Sequence, residues 1–510
     1  MMRGLIVIGL ASALLAGCNY KKETSPAPPI EVPTTYSEGA EAPETDNVRT
    51  EVPPRPEVEK TQPVRDARWW RHMGDSTLSA LIDEALRRNQ GVRAGWARVR
   101  QARYIANQVR AARMPQIGLQ GAYDIGREIQ VFGEFDFQNA TGSLPISYEV
   151  DLFARRAREH QGAKLDAEAA RLDQESLAIT ISAEVAEAWF DSINARIEVA
   201  VVQEQLETDL RFLELVELRY REGLNSAVDV HQQRQRVASQ RALLALADAQ
   251  TDLTDQRLSV LLGEAPGRRF PVDGKALPDI GPTPDIEAPA SLLEARPDIK
   301  AVRKRVEAED RRAAAAVGAR LPVITLNFTP GYKWLQFEGE RGVTDPMTGA
   351  PILDPDTGQQ LVARASQTAN GVVWRAGAQL SVPLFDGIAG WSAIKAQRAV
   401  LDQLMEQYAE TILTGLIEVE STLTLERQER LRIQFLEDEF RLANITLEAT
   451  RDRYRAGLSD FLPVLTALAT RQRSELQLVA ARRQLVSYRV QLYRALGGAW
   501  PEEFGEPEDD

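Results

Sequence analysis

At 510 residues the chain is too long for one ordinary core, so two or more structural units are expected. With 61 Lys and Arg against 74 Asp and Glu it carries a formal net charge of −13, which argues against a nucleic-acid partner. A single cysteine, Cys18, excludes an intrachain disulfide, and three histidines (His72, His160, His231) give no basis for a Cys/His zinc site.

The first element is a leader. Arg3 precedes an apolar stretch, Leu5 to Leu15, too short to span a bilayer as a permanent helix. It ends in Leu15-Ala16-Gly17-Cys18, which resembles a bacterial lipobox. Residues 1–17 then read as a signal peptide, with acylation (palmitate among the chains) of the Cys18 sulfur and new amino group. The alternative is an ordinary signal peptide followed by a chance cysteine. Small residues directly before the only cysteine favour the lipoprotein, and Asn19 in place of Asp points to the outer membrane. Residues 18–64 are rich in Pro, Glu and Thr and too poor in apolar residues to offset their ordering entropy, so they read as a tether. No later run of eighteen apolar residues follows. Any membrane crossing must use strands.

Four segments, about 116–126, 140–151, 323–334 and 372–385, alternate with period two. Ile117, Leu119, Tyr123 and Ile125 oppose Gln116, Gln120 and Asp124, and Leu144, Ile146, Tyr148 and Val150 oppose Thr141, Ser143 and Ser147. Later, Ile324, Leu326, Phe328, Tyr332 and Trp334 oppose Thr325, Asn327, Thr329 and Lys333, while Val372, Trp374 and Leu380 oppose Arg375, Gln379 and Ser381. That length and pattern suit a tilted strand with lipid on one face and water on the other. Two hairpins make neither a sandwich nor a closed barrel, and open edges do not occur in lipid, so several copies are expected to share one barrel. The hairpin loops are expected at about Gly126–Asn139 and Leu335–Gly371. The second contains Asp345-Pro346-Met347-Thr348-Gly349 and Asp354-Pro355-Asp356-Thr357-Gly358, which read as successive turns rather than a calcium loop.

Long helical hairpins follow each pair of strands, at about 154–262 and 390–496. Leu165, Leu172, Ile179, Ala186, Ile193 and Ala200 recur every seven residues, as in a coiled coil. Some seventy helical residues would extend about 100 Å, too long for a globular core. Each hairpin turns on nearly the same phrase, RYREGL from Arg219 and RYRAGL from Arg453, 234 residues apart. Glycine permits the left-handed conformation that ends a helix, and a polar residue then starts the next (Asn225 or Ser226, Ser459 or Asp460). The chain therefore reads as a tandem duplication, 65–275 and 276–500, with an acidic tail at 501–510.

Several further stretches carry a family resemblance. They are Trp69-Trp70 with Gly74-Asp75 and Leu78, Tyr148 through Phe153, Ser291 through Ile299, Val382 through Gly387, and Leu496 through Trp500. Together, in order and duplicated, they resemble the TolC-type outer membrane factors, in their NodT-like lipoprotein branch. The resemblance implies a trimer with a twelve-stranded outer-membrane β-barrel continuous with a periplasmic α-barrel. It implies a passive efflux duct for drugs or other small toxic compounds, without cofactor. The partners implied are a periplasmic adaptor, a proton-driven inner-membrane transporter and outer-membrane lipid.

By the same resemblance, Tyr220, Arg221, Gly223 and Leu224, with Tyr454, Arg455, Gly457 and Leu458, match adaptor-docking tips, and Asp229 and Leu462 match a periplasmic gate. The sequence departs from the family nine residues past Gly457, where Thr466 stands for a frequent aspartate, leaving Asp229 and Asp460 to supply a thinner acidic ring. A type I protein-secretion duct and a structural coiled-coil envelope lipoprotein are the alternatives. An enzyme is disfavoured, because no nucleophile–base set or phosphate loop stands out and His231 and Asp229, two apart on a helix, do not face each other.

Overall fold

The computed structural model describes residues 27–33, 36, 68–130, 133–272, 276–284 and 289–497. The leader, Cys18, most of the tether and the acidic tail lie outside the described residues. After a 3-10 turn at Trp69–Met73 come α1 (Ser76–Arg88) and α2 (Gln90–Ala111), then β1 (Gln116–Ile117), β2 (Gln120–Gln130), β3 (Gly133–Ser143) and β4 (Ile146–Val150). Helices α3 (Arg155–Arg221) and α4 (Ala227–Leu261) complete the first half. The second half repeats the order with α5 (Leu292–Ala295), α6 (Pro297–Gly318), β5 (Val323–Gly342), β6 (Val362–Ser381), α7 (Ala389–Arg455) and α8 (Phe461–Ala495). Matching helices have equal lengths: 22 residues in α2 and α6, 67 in α3 and α7, and 35 in α4 and α8. No described helix is long and apolar enough to cross a membrane.

The chain forms two compact units, and they do not follow the repeats. Among the described residues, one comprises those within 103–166 and 307–403, the other 27–33, 36 and those within 68–102, 167–306 and 404–497. Each takes its elements from both halves. A hairpin leaves both outer edges unpaired and a helix pair leaves one stripe uncovered, and here the other repeat supplies a partner for one edge of each hairpin.

In the first unit, β1 and β2 keep one register, as do β3 and β4, so each pair is a single interrupted strand. Pro145, which has no N–H to donate, marks the interruption, and its carbonyl accepts from the Gly118 N–H at 3.0 Å. The result is an antiparallel sheet in the order β1/β2, β3/β4, β5, β6. The register places Ile117, Ile146 and Phe328 on one face, with Tyr148, Leu326 and Leu380, and Ser147, Asn327 and Gln379 on the other. The apolar face is bare, with Trp374 71% and Leu380 65% exposed.

The strands outrun their sequence signal. Most of the loop expected at Gly126–Asn139 is strand, and pairing of β5 with β6 continues to Gly342↔Val362, inside the loop expected at 335–371. Apolar residues leave the first face after Trp334 while backbone pairing goes on, so the period-two signal ends before the sheet does. What remains, 343–361, is two stacked turns. Asp345 Oδ1 accepts from the Met347 and Thr348 N–H groups at 2.8 and 3.0 Å, and Asp354 Oδ1 from those of Asp356 and Thr357 at 2.8 and 3.2 Å. These backbone donors hold both carboxyls below their ordinary value.

In the second unit a core of Trp69, Ile82, Trp96, Trp189, Leu258 and Val490 joins α1, α2, α3, α4 and α8. The middle of the seven-residue stripe is buried here (Ile179, Ala186, Ile193), whereas Ala200 is exposed. Two of the family-like stretches have structural roles. Asp75 caps α1 through the Thr77 and Leu78 N–H groups at 2.8 and 3.2 Å, and its other oxygen accepts from Trp189 Nε1 at 2.7 Å. Arg296 donates to Glu418 at 2.6 Å and to the Ala495 carbonyl at 3.0 Å, which ties the end of α8 to the start of the second repeat. Tyr36, within the tether region, is buried, and burial with the nearby Glu420 charge pushes its hydroxyl up to about 12.

Candidate functional site

The two turns that carry the repeated phrase have the same backbone. The Leu224 N–H donates to the Arg219 carbonyl at 2.8 Å and that of Gly223 to Tyr220 at 3.0 Å; Leu458 to Arg453 and Gly457 to Tyr454 repeat both distances. Gly223 and Gly457 take φ of 72° and 73°, a left-handed conformation that ends a helix at little cost only for glycine.

The side chains break this symmetry. At the first turn Ser226 and Asp229 form a reciprocal capping box: the Asp229 N–H donates to Ser226 Oγ at 3.2 Å, and the Ser226 N–H to Asp229 Oδ2 at 2.9 Å. Asn225 Nδ2 adds a third contact to Asp229 at 3.3 Å. The half-buried Asp229 is thus engaged in starting α4. At the second turn Pro463 occupies the equivalent place, and Asp460 makes no side-chain cap bond and is exposed. Leu462 is 57% exposed, and the exposed Thr466 donates its hydroxyl to the Leu462 carbonyl at 3.0 Å.

The eight tip residues separate as well. Tyr220, Arg221, Leu224, Arg455 and Leu458 are exposed, as are both glycines. Tyr454 is not available on the surface. It is 2% exposed, in a cluster with Phe212, Val216, Val230, Phe461 and Val464. Its hydroxyl donates to Asn225 Oδ1 at 2.9 Å, a carbonyl that also accepts from Arg219 Nε at 3.1 Å, and the Arg219 guanidinium lies 4.5 Å from the Tyr454 ring centre. Burial raises the Tyr454 hydroxyl above its ordinary value. The tyrosine of the second copy therefore fastens one tip to the other, with Arg219 of the first copy over its ring, a role that the exposed Tyr220 does not have.

Replacing Tyr454 with Phe should keep the ring and remove only the bond between the tips. A loss of about 1 kcal/mol, typical of one such bond, corresponds to about fivefold faster amide exchange over residues 219–226. Unchanged exchange would mean that the bond does not hold the tips together.

Each tip is flanked by a groove of its own character. Beside the first, Glu217, Tyr220, Arg221, His231 and Arg234 line a polar groove of about 330 Å³. Beside the second, Leu442, Thr446, Leu462, Pro463 and Thr466 line an apolar one of about 630 Å³. Above the tips runs a buried polar layer that sequence reading missed. The fully buried Asp209 takes Arg236 at 3.1 Å and Gln472 Nε2 at 3.1 Å, its carbonyl accepts from Gln233 Nε2 at 2.8 Å, and Gln205 Nε2 donates to the Gln472 carbonyl at 3.2 Å. Such a layer inside a helical packing penalises a shift of register, because a slip leaves polar groups unpaired. Its sequence signal is slight: glutamines on helices otherwise read as surface. Among the described residues there is no group of three metal-ligating side chains.

Comparison with known proteins shows the family and the likeness of fold. The family described as outer membrane efflux protein matches residues 81–264 and 288–498. The pyoverdine export outer membrane protein OpmQ of Pseudomonas putida is 28% identical over 459 residues, 87% of this chain and 91% of that one. Nodulation protein T of Rhizobium leguminosarum is 21% identical over 494 residues, 96% of each chain. The solved outer-membrane channel OprN superimposes with a TM-score of 0.76 at 24% identity, covering 94% of this chain and all of that one, a likeness of fold. With the family match spanning both repeats, this chain belongs to the outer membrane efflux proteins, a family of transport channels rather than of enzymes.

Proposed function

We propose that three copies of this chain close one twelve-stranded barrel in the outer membrane, continued below by their helices, and that the assembly is the exit duct of a tripartite efflux system. The observation that carries this is the sheet with a bare apolar face and an opposite polar one, whose outer strands, β1/β2 and β6, have no further partner among the described residues. Lipid tolerates such a sheet only when its edges are closed by other strands. Cys18 anchors each copy to the membrane by its acyl chains. A periplasmic adaptor docks at the exposed tip residues Tyr220, Arg221, Gly223, Leu224, Arg455, Gly457 and Leu458, and a proton-driven inner-membrane transporter supplies the energy. Asp229, Asp460, Leu462 and Thr466 narrow the duct just inside the tips. The exported compounds are small organic molecules, a reading supported by relatives named for pyoverdine export.

The mass of the protein extracted from outer membranes, native and denatured, tests the assembly. A trimer of chains beginning at an acylated Cys18 is expected. A water-soluble monomer would end the channel reading.

A further inference from the structure

The sheet changes the sidedness of its apolar residues along its length. Up to Trp334 one face of β5 carries Ile324, Leu326, Phe328 and Tyr332, and the other Thr325, Asn327, Thr329 and Lys333. Toward the hairpin loops the apolar face turns polar: its rows become Ile125–Gln138–Gln336–Thr368 and then Arg127–Asp136–Glu338–Ser366. Arg127 Nε donates to Asp136 Oδ1 there at 2.7 Å. On the opposite face the same stretch gains apolar side chains among polar ones, with Asp124 and Asn139 in the row of Leu335 and Gln367 in that of Phe337. Leu335 stands between Asn139 and Ala369, and in the next row Phe137 is directly paired with Phe337. The neighbour of Phe137 in that row is Gly126, where a Cβ would come within 3.0 Å of the ring. Phe337 remains 39% exposed.

A wall that leaves the bilayer has water on both sides, so an outward face of Gln, Asp, Arg and Glu is what its surroundings favour. The inward face, mostly polar through Thr325, Asn327, Thr329 and Lys333 with Val373 as an exception, has no such reason to gain rings. We propose that Phe137, Phe337 and Leu335 of each copy form an apolar collar at the outer mouth of the duct, a second constriction separate from the helix tips. This rests on the proposal that three copies close one barrel with this face inward. Side chains of this kind cannot replace the water around an ion, so a ring of them hinders hydrated ions and passes amphipathic organic molecules more readily. Cross-strand pairing of the two rings fixes the collar on the wall itself rather than on the turns at 343–361.

The test approaches from outside, so the helix tips are not in the path. Thr329→Cys lies on the same inward face, deeper than the collar, and Met347→Cys, at a position 96% exposed, serves as reference. Both are reacted on whole cells with a cationic and a neutral apolar thiol reagent of equal size, with the parent chain as blank. Relative to the reference, the cationic reagent is expected to react at Thr329→Cys at least ten times more slowly than the neutral one. Adding Phe137→Ser and Phe337→Ser should abolish the difference, whereas Phe337→Leu should keep it. Equal rates for the two reagents in the unaltered collar overturn the collar and leave the duct standing. No reaction of either reagent at Thr329→Cys, while Met347→Cys reacts, overturns the barrel reading beneath it. The reagent comparison needs no collar substitution, so a failure of the double variant to assemble does not block the answer.

Discussion

Replacing Glu426 with alanine is expected to destabilise the helical unit by about 3–5 kcal/mol, the range for removing one partner of a buried ion pair. Glu426 and Arg489 are 2.6 Å apart with side-chain exposures of 0% and 4%. The same carboxylate also takes Arg430 at 3.0 Å and the Thr283 hydroxyl at 3.0 Å. Arg489 spends its other donors on the Ile280 and Pro282 carbonyls at 2.7 and 3.0 Å. The cluster thus pins the connection between the two repeats to α7 and α8. Without Glu426, a guanidinium stays buried with carbonyls but no counter-charge. Chemical denaturation in detergent measures the loss, and an unchanged midpoint would discard the account.

The same pair sets a pH dependence. Burial alone would raise the Glu426 carboxyl, but hydrogen bonding and charge from Arg489, with help from Arg430, outweigh it and hold it below its ordinary value. A group with a depressed folded-state pKa stabilises fully above its unfolded value, about 4.3 for Glu, and loses that stabilisation as pH falls through the folded one. Acid below about pH 4 should therefore loosen this connection in the parent but have a smaller further effect on Glu426→Ala.

The second large effect concerns the sheet. Phe328→Arg puts a charge in the middle of the apolar face, on a residue 44% exposed in the single chain. A charge on a lipid-facing wall costs about 2–4 kcal/mol at the bilayer midplane, and in the proposed trimer each copy would bear that cost. Its neighbour Asn327 points to the other face, since the register pairs Asn327 with Ser147 but Phe328 with Ile146. Asn327→Arg should therefore assemble normally. The amount of heat-resistant oligomer in the outer membrane reads the contrast. If the two variants assemble equally, the face bearing Phe328 is not in lipid.

Much of this molecule is legible in its sequence because the signals are local. Period-two runs such as Ile324 to Trp334 name their own faces whatever pairs with them, and the glycine of RYREGL or RYRAGL ends a helix by backbone geometry alone. The duplicated order of these signals gives the tandem repeat, and local stretches such as Ser291 through Ile299 carry the family resemblance. What the sequence left open depends on which distant residues meet. Tyr454 and Tyr220 stand in the same phrase, yet one is buried against Asn225 and the other exposed, because packing of one hairpin on the other covers only one of them. Glu426 and Arg489 each read as a charge on a solvated helix until packing buries them together. The change of face at Phe137 and Phe337 was hidden for a related reason. A strand that switches its apolar side resembles a loop to any pattern with a fixed phase, and only hydrogen bonding between strands far apart in the chain keeps it in the sheet.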